Sequence, residues 1–239
     1  MKQIMAASVA LAACGCGSDK PANPLLSEFD TPHNIAPFAQ ITIDNYREGM
    51  LLGMEEQKKE IEAITNNSEA PTFENTVVAL DQCGKLLRKV RGTFSPLSSS
   101  NSTEEMRALQ KEMSPLFSAH NDDIYLNEQL FARVKAVYDS RESLTLTAEE
   151  AKILENIYKR FVNSGANLGE EQKAQLRELN KELSMLQLTF SQNLLHETNN
   201  SFVVAENLEE LKGLPQANID AAAKMAADNG QPGKWMFNM

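Results

Sequence analysis

Imidazole is scarce in this chain. Histidine occurs three times, and only His196 is followed by glutamate. In His196-Glu197-Thr198-Asn199-Asn200, a zinc-binding helix would need a second imidazole where Asn200 stands, one turn along the same face, with the glutamate between them as general base. An amide is a poor ligand beside an imidazole, and His33 and His120 are distant in sequence. The stretch therefore reads as the solvated end of a helix, where histidine complements the macrodipole. Cysteine also occurs three times, too few for a disulfide framework. Glycine and proline are modest and charges are interspersed, which excludes wholesale disorder. No Lys/Arg run occurs, and a net charge of -10 with a pI near 4.9 argues against nucleic-acid binding. Ser98-Ser99-Ser100 has no accompanying His and Asp pattern for nucleophilic catalysis. Gly49 and Gly53 make no phosphate loop. Asp122-Asp123 matches neither a calcium loop nor a glycosidase pair, and reads as a solvated turn. Asn101-Ser102-Thr103 fits a glycosylation triplet, but the bacterial signal described next argues against its use.

What is present begins with a targeting signal. Lys2 gives a short positive start, and Ile4 to Ala13 is small and apolar but too short to span a bilayer. The run ends Leu11-Ala12-Ala13-Cys14, like a bacterial lipobox, in which the Cys14 thiol takes a diacylglycerol. Residues 1–13 are thus expected to be a lipoprotein signal peptide, and 14–24, with Pro21 and Pro24, a lipidated N-terminus and tether. That location is the cell envelope, periplasmic or outer-membrane-associated. Cys83 lies between Leu80 and Leu87 on a helical stripe and reads as a small buried apolar residue.

Hydrophobic content of 42% supports a substantial core. From Asp44 to Thr65, Tyr46, Met50, Met54, Ile61 and Ile64 keep helical spacing. A second helix is expected over 72–91, followed by a polar loop from Gly92 to Asn101 containing Pro96. Ser102 and Glu105 form a capping-box pattern ahead of Leu109, Met113, Leu116 and Phe117, where Pro115 should kink or split the helix. Asn127 caps the next helix, and Thr147 with Glu150 the one after, whose buried face is Ile153, Leu154, Ile157 and Phe161. The most regular pattern is Leu176, Leu179, Leu183, Leu186, Phe190 and Leu194, a long helix with a seam expected to pack within the domain rather than as a homomeric coiled coil. Beyond Asn200 the period changes. Phe202-Val203-Val204 reads as a strand, Gln216 to Asp228 as a helix opened by Pro215, and Trp235-Met236-Phe237 as a second strand. No closing element follows, so the sheet would have an unpaired edge.

Several ordered stretches resemble one family. Pro71-Thr72-Phe73-Glu74-Asn75-Thr76 is similar to a signature near the start of the thimet-oligopeptidase-type zinc metallopeptidases. Ser118-Ala119-His120-Asn121-Asp122, Ile124-Tyr125-Leu126-Asn127, Leu130-Phe131-Ala132-Arg133-Val134 and Arg160-Phe161-Val162 follow in the family's order. So do Gly165-Ala166-Asn167-Leu168, Leu179-Asn180-Lys181-Glu182-Leu183, Phe190-Ser191-Gln192-Asn193 and Gly233-Lys234-Trp235. The likeness runs over residues 24 to 239 and is greatest to the bacterial peptidyl-dipeptidases of the family.

The resemblance implies a mainly α fold: a helical N-terminal domain over 25–199, and the start of a catalytic-lobe region over 200–239, cut short. It implies a zinc-dependent hydrolase of short peptides releasing dipeptides from C-termini, with these helices forming one wall of a deep channel. The family's zinc ligands lie on a His-Glu-x-x-His helix and a downstream glutamate in its C-terminal half. None has a counterpart here, so no catalytic and no metal residue is assigned, and Cys14, as lipidation site, is the single assigned position. The chain alone is expected to be inert, to bind no zinc, and to be a monomer whose partners are short oligopeptides and, through its lipid, a membrane. The alternative is a non-catalytic helical lipoprotein that binds peptides or a protein partner.

Overall fold

The computed structural model describes residues 22–238. The expected lipobox and Cys14 lie outside the described residues. The chain is mainly α, as the sequence implies. Its α-helices are α1 (Ile43–Thr65), α2 (Ala79–Gln82), α3 (Lys85–Ser100), α4 (Glu104–Tyr125), α5 (Glu128–Asp139), α6 (Ala148–Asn163), α7 (Glu170–Asn200) and α8 (Gln216–Asp228). Strands β1 (Phe202–Ala205) and β2 (Trp235–Asn238) pair antiparallel, with Val203 opposite Phe237. No described helix is long and apolar enough to cross a membrane.

Side chains set the helix starts. The Thr42 hydroxyl accepts from the Asn45 N–H while Asn45 returns a bond to the Thr42 N–H, a reciprocal cap for α1. Thr72 and Asn75 repeat the device at the head of a π-helical segment, Phe73–Val78, that runs into α2. Asn127 caps α5 and Thr147 with Glu150 caps α6, both as read from the sequence.

Three apolar clusters hold the helices together. Leu25, Tyr46, Met50, Val90, Phe94, Leu109 and Met113 join α1, α3 and α4, with Tyr46 edge-on to Phe94 at 5.0 Å. Ile61, Cys83, Ile124, Leu130, Val134 and Phe161 form the second, where α1, α4, α5 and α6 meet. Phe73, Val77, Val137 and Leu154 form the third. The fold takes hold as early as Asn23, whose side chain caps the turn containing Leu25 and reaches the Asn45 carbonyl.

Several expectations are corrected. The helix expected over 72–91 is interrupted: Cys83 is extended and Gly84 has φ +73. A Cβ at Gly84 would fall 2.6 Å from the Gln57 side chain, and its N–H goes to Glu60. The polar loop expected from Gly92 is helical to Ser100. Phe94 and Ser98 are buried there, and the Ser98, Ser99 and Ser100 hydroxyls bond back to carbonyls of Ser95 and Pro96, so packing overrides composition. Helix α4 is capped by Thr103, one residue beyond Ser102, and runs unbroken through Pro115, flanked by Met113 and Phe117 in the core. Ile153 is exposed while Leu154 and Phe161 are buried.

A further correction concerns α7. It is one long helix, as its periodicity says, but the seam is bare. Leu179 is 61% and Phe190 70% exposed, and Leu183, Leu186 and Leu194 are exposed with them. The start of α7 is anchored: Lys173 is buried and bonds Glu128 of α5 at 2.9 Å and Glu170 at 3.0 Å. Further along, Arg177 pairs with Asp123 at 2.9 Å and Asn180 bonds Asp122, tying α7 to α4. Past Leu188 the helix leaves the body and leads to the β1–β2 pair, on which α8 packs with Ala222, Ala226 and Met236 buried.

Candidate functional site

His196 and Glu197 are exposed on the last turns of α7, 3.6 Å apart at their nearest polar atoms. The Asn200 side chain donates to the His196 carbonyl at 2.7 Å, so it closes the helix end rather than facing a ligand. His33 lies in a turn, with φ +60, and His120 is half-buried on α4. The histidines therefore occupy three separate elements. Among the described residues, no group of three His, Cys, Asp or Glu side chains is placed to hold a metal ion. Cys83 is buried, its Sγ 3.2 Å from the Ala79 carbonyl, and burial pushes its thiol up to about 11. A thiol so held is protonated at neutral pH and is not a nucleophile.

Two adjoining depressions cross the helical body and share Arg91, Ser95, Phe117 and Asn121. The first, about 670 Å3, runs between α4 and α7. Its floor is Phe94, Leu109 and Met113, and its walls carry Gln110, Ser114 and Ser118 facing Asn180, Ser184 and Gln187. The walls approach closely enough for the Ser114 hydroxyl to meet the Ser184 carbonyl at 3.3 Å. Asp122 lies in this groove, 5% exposed, and accepts from Asn180 at 2.7 Å. This corrects its reading as a solvated turn: it is a buried helical carboxylate. Burial raises its pKa from the ordinary aspartate value, opposed by the Asn180 hydrogen bond and the charge of Arg177. An apolar floor between walls of neutral amides and hydroxyls can both donate to and accept from an extended chain.

The second depression, about 690 Å3, lies between α3, the end of α4 and α6. His120 enters it with Nε2 at 2.8 Å from Gln57 Oε1; the acceptor on Gln57 makes Nε2 the protonated nitrogen of the neutral ring. Burial lowers the His120 pKa, with Lys58 and Arg91 acting in the same direction and Asp123 against it. Sequence reasoning found neither depression. Its residues come from helices far apart in the chain, and no local motif marks them. The available signal was weak: His120, Asn121 and Asp122 form a short polar run inside an apolar helical stripe.

No family model matches the chain. Curated proteins do. It is 36% identical over 215 residues, 90% of its own length, to "Dipeptidyl carboxypeptidase" of Escherichia coli, and 37% identical over 215 residues to the protein of that name in Salmonella typhimurium. The chain is a relative of these peptidases. At 28% identity over 211 residues it is also similar to "Oligopeptidase A" of Haemophilus influenzae. It spans about a third of the length of the curated relatives it matches, 32% of the first two and 30% of the third. The resemblance read from the Pro71–Thr76 signature and the stretches after it is therefore to the right proteins.

Proposed function

We propose that this chain is the N-terminal part of a zinc-dependent peptidyl-dipeptidase or oligopeptidase acting on short peptides, releasing dipeptides from C-termini. The observation that carries the reading is the 36% identity over 90% of the chain to a dipeptidyl carboxypeptidase. In this reading the helices form one wall of the substrate channel. The groove between α4 and α7, lined by amides and hydroxyls, supports that role, as does the bare apolar seam of α7. The donors present do not fit a zinc ion, because the described His, Cys, Asp and Glu side chains converge nowhere in a group of three. No catalytic step is therefore assigned to these residues; the metal and its general base would belong to a part of the protein outside this sequence. The Leu11–Cys14 lipobox supports attachment of the protein to the bacterial cell envelope through a lipid on Cys14.

Two measurements test the reading. The purified chain, supplied with zinc and a quenched oligopeptide, is expected to show no chelator-sensitive turnover. A chimera carrying this chain in place of the N-terminal third of the Escherichia coli dipeptidyl carboxypeptidase is expected to release dipeptides in a chelator-sensitive way. Turnover by the chain alone, or a folded chimera that binds zinc and cleaves nothing, would overturn it. For the anchor, Cys14→Ser is expected to abolish lipid labelling; labelling that persists contradicts Cys14 as the acceptor.

A further inference from the structure

The second depression has a composition unlike the rest of this acidic chain. Arg88 and Arg91 of α3 and Arg160 of α6 all line it. None of the three forms an ion pair among the described residues, whereas Arg47, Arg141 and Arg177 each pair with a carboxylate. Two of them lie over aromatic rings. The Arg91 guanidinium lies 4.6 Å from the centroid of the Phe117 ring and that of Arg160 4.4 Å from the centroid of Tyr125. Arg88 is fixed differently, donating through Nη1 to the Cys83 carbonyl.

A guanidinium held over a ring by cation–π attraction keeps N–H groups for a ligand, and the planar fork loses little freedom on binding one. The neighbours register the positive charge: Arg88 pulls the Cys83 thiol down, Arg91 lowers His120 and Arg160 lowers the Tyr125 phenol, each against or beside the larger effect of burial. Three acids stand near, of which Asp123 acts on His120 but is paired with Arg177. Glu60 is engaged with the Gly84 N–H at 2.6 Å, and Asp81 lines the rim without an ion pair among the described residues. The N-terminal turn of α3 has no side-chain cap and opens into the same cleft through Gly84 and Leu87, adding the positive end of a helix. His120, Gln57 and Asn121 supply neutral polar groups beside the cations.

We infer that this cleft is a binding site for a carboxylate-bearing ligand, a small organic acid or a peptide end, held by the edges of Arg91 and Arg160 with Arg88 at the rim. A planar carboxylate matches the guanidinium fork by two parallel hydrogen bonds. The inference does not depend on the peptidase reading: it concerns α3, α4 and α6 of this chain as they stand.

The test uses the whole chain in low-salt buffer with three probes: N-acetyl-alanyl-alanine, its C-terminal amide, and inorganic phosphate. The free acid is expected to bind saturably by calorimetry and the amide not to bind. Arg91→Gln and Arg160→Gln are each expected to weaken the acid about tenfold, the loss of one charge-assisted hydrogen bond, while Arg91→Lys, which keeps the charge but not the fork, loses less. Arg141→Gln removes a guanidinium that also lies over a ring, 4.4 Å from the centroid of Tyr138, but does not line the cleft, and is expected to leave binding unchanged. The melting temperatures of all variants report folding, which these exposed side chains do not control. Equal binding of acid and amide, or binding indifferent to both Arg91→Gln and Arg160→Gln, would overturn the site. Binding of phosphate without binding of the acid would overturn its assignment to a carboxylate.

Discussion

Gly53 of α1 faces Leu87 of α3 at close quarters. A Cβ there would stand 2.8 Å from the Leu87 Cα and backbone nitrogen, atoms that cannot rotate away. Gly53→Ala is expected to destabilise the chain by about 1–3 kcal/mol, the usual cost of overpacking. Gly92 of α3 has nothing within 4 Å of the same position, so Gly92→Ala is expected to stabilise by about 0.5–1 kcal/mol through reduced backbone entropy of the unfolded chain. Denaturant midpoints of the two variants check both signs at once. Asp122 gives the residue scale its pH dependence. Burial raises its folded pKa, so the folded protein keeps this proton at pH values where the unfolded chain, with aspartate near about 3.9, has lost it. Stability from this group is accordingly greatest in acid, falls as pH rises from about 3.9 through the folded value, and is level above it. Asp122→Asn keeps an oxygen for Asn180 and removes the charge. Its stability relative to the parent is expected to be most favourable at neutral pH and to decline as the medium is acidified. Urea melts at several pH values measure that difference, and a relative stability that improves toward acid contradicts the assignment.

At the scale of elements, the Pro71–Thr76 signature has a structural meaning. Thr72 caps the π-helical segment, and Asn75 is shared between that cap and Arg133 of α5, whose buried guanidinium also takes the carbonyls of Asn67 and Glu69. The segment between α1 and α2 is thus fastened to α5 by one side chain. Arg133→Met removes the donors to two carbonyls and one of the donors to the Asn75 amide oxygen, and is expected to cost more than about 2 kcal/mol. Thr72→Ala removes one cap bond and is expected to cost about 1 kcal/mol. Thermal melts that reverse the order would show that the cap, not the clamp, holds the segment. Such caps are also where the sequence was most legible. Asn127 and Thr147 announce α5 and α6 because a cap is a contact between residues three apart, visible in one short window. Ser98 to Ser100 deceived for the opposite reason: their hydroxyls satisfy carbonyls one turn back, and the decision between loop and helix is made by Phe94 in the distant core. The arginine cleft could not be read at all, since Arg91 and Arg160 line it from positions nearly seventy residues apart, and only the fold shows that neither has a carboxylate partner among the described residues.

For the molecule as a whole, α7 is the element that periodicity describes and does not explain. The spacing of Leu179, Leu183, Leu186, Phe190 and Leu194 fixes which face is apolar, and says nothing of what covers it. Within this chain nothing described does, although the start of the same helix is held by the buried Lys173 and by Arg177 and Asn180. An apolar stripe of this kind is unusual on a monomer's surface; the dipeptidyl carboxypeptidase relative is about three times as long as this chain. The consequence is measurable. If the stripe is free here, Leu186→Glu with Phe190→Glu should change the chain's stability by no more than about 0.5 kcal/mol per site and should lower its binding of an apolar dye. Leu154→Ala, in the closed core between α6 and the π-helical segment, should cost about 2–5 kcal/mol. A double variant of α7 that loses stability on the scale of Leu154→Ala would mean that the stripe is packed in solution, and a mass measurement by sedimentation would then show whether a second copy does the packing.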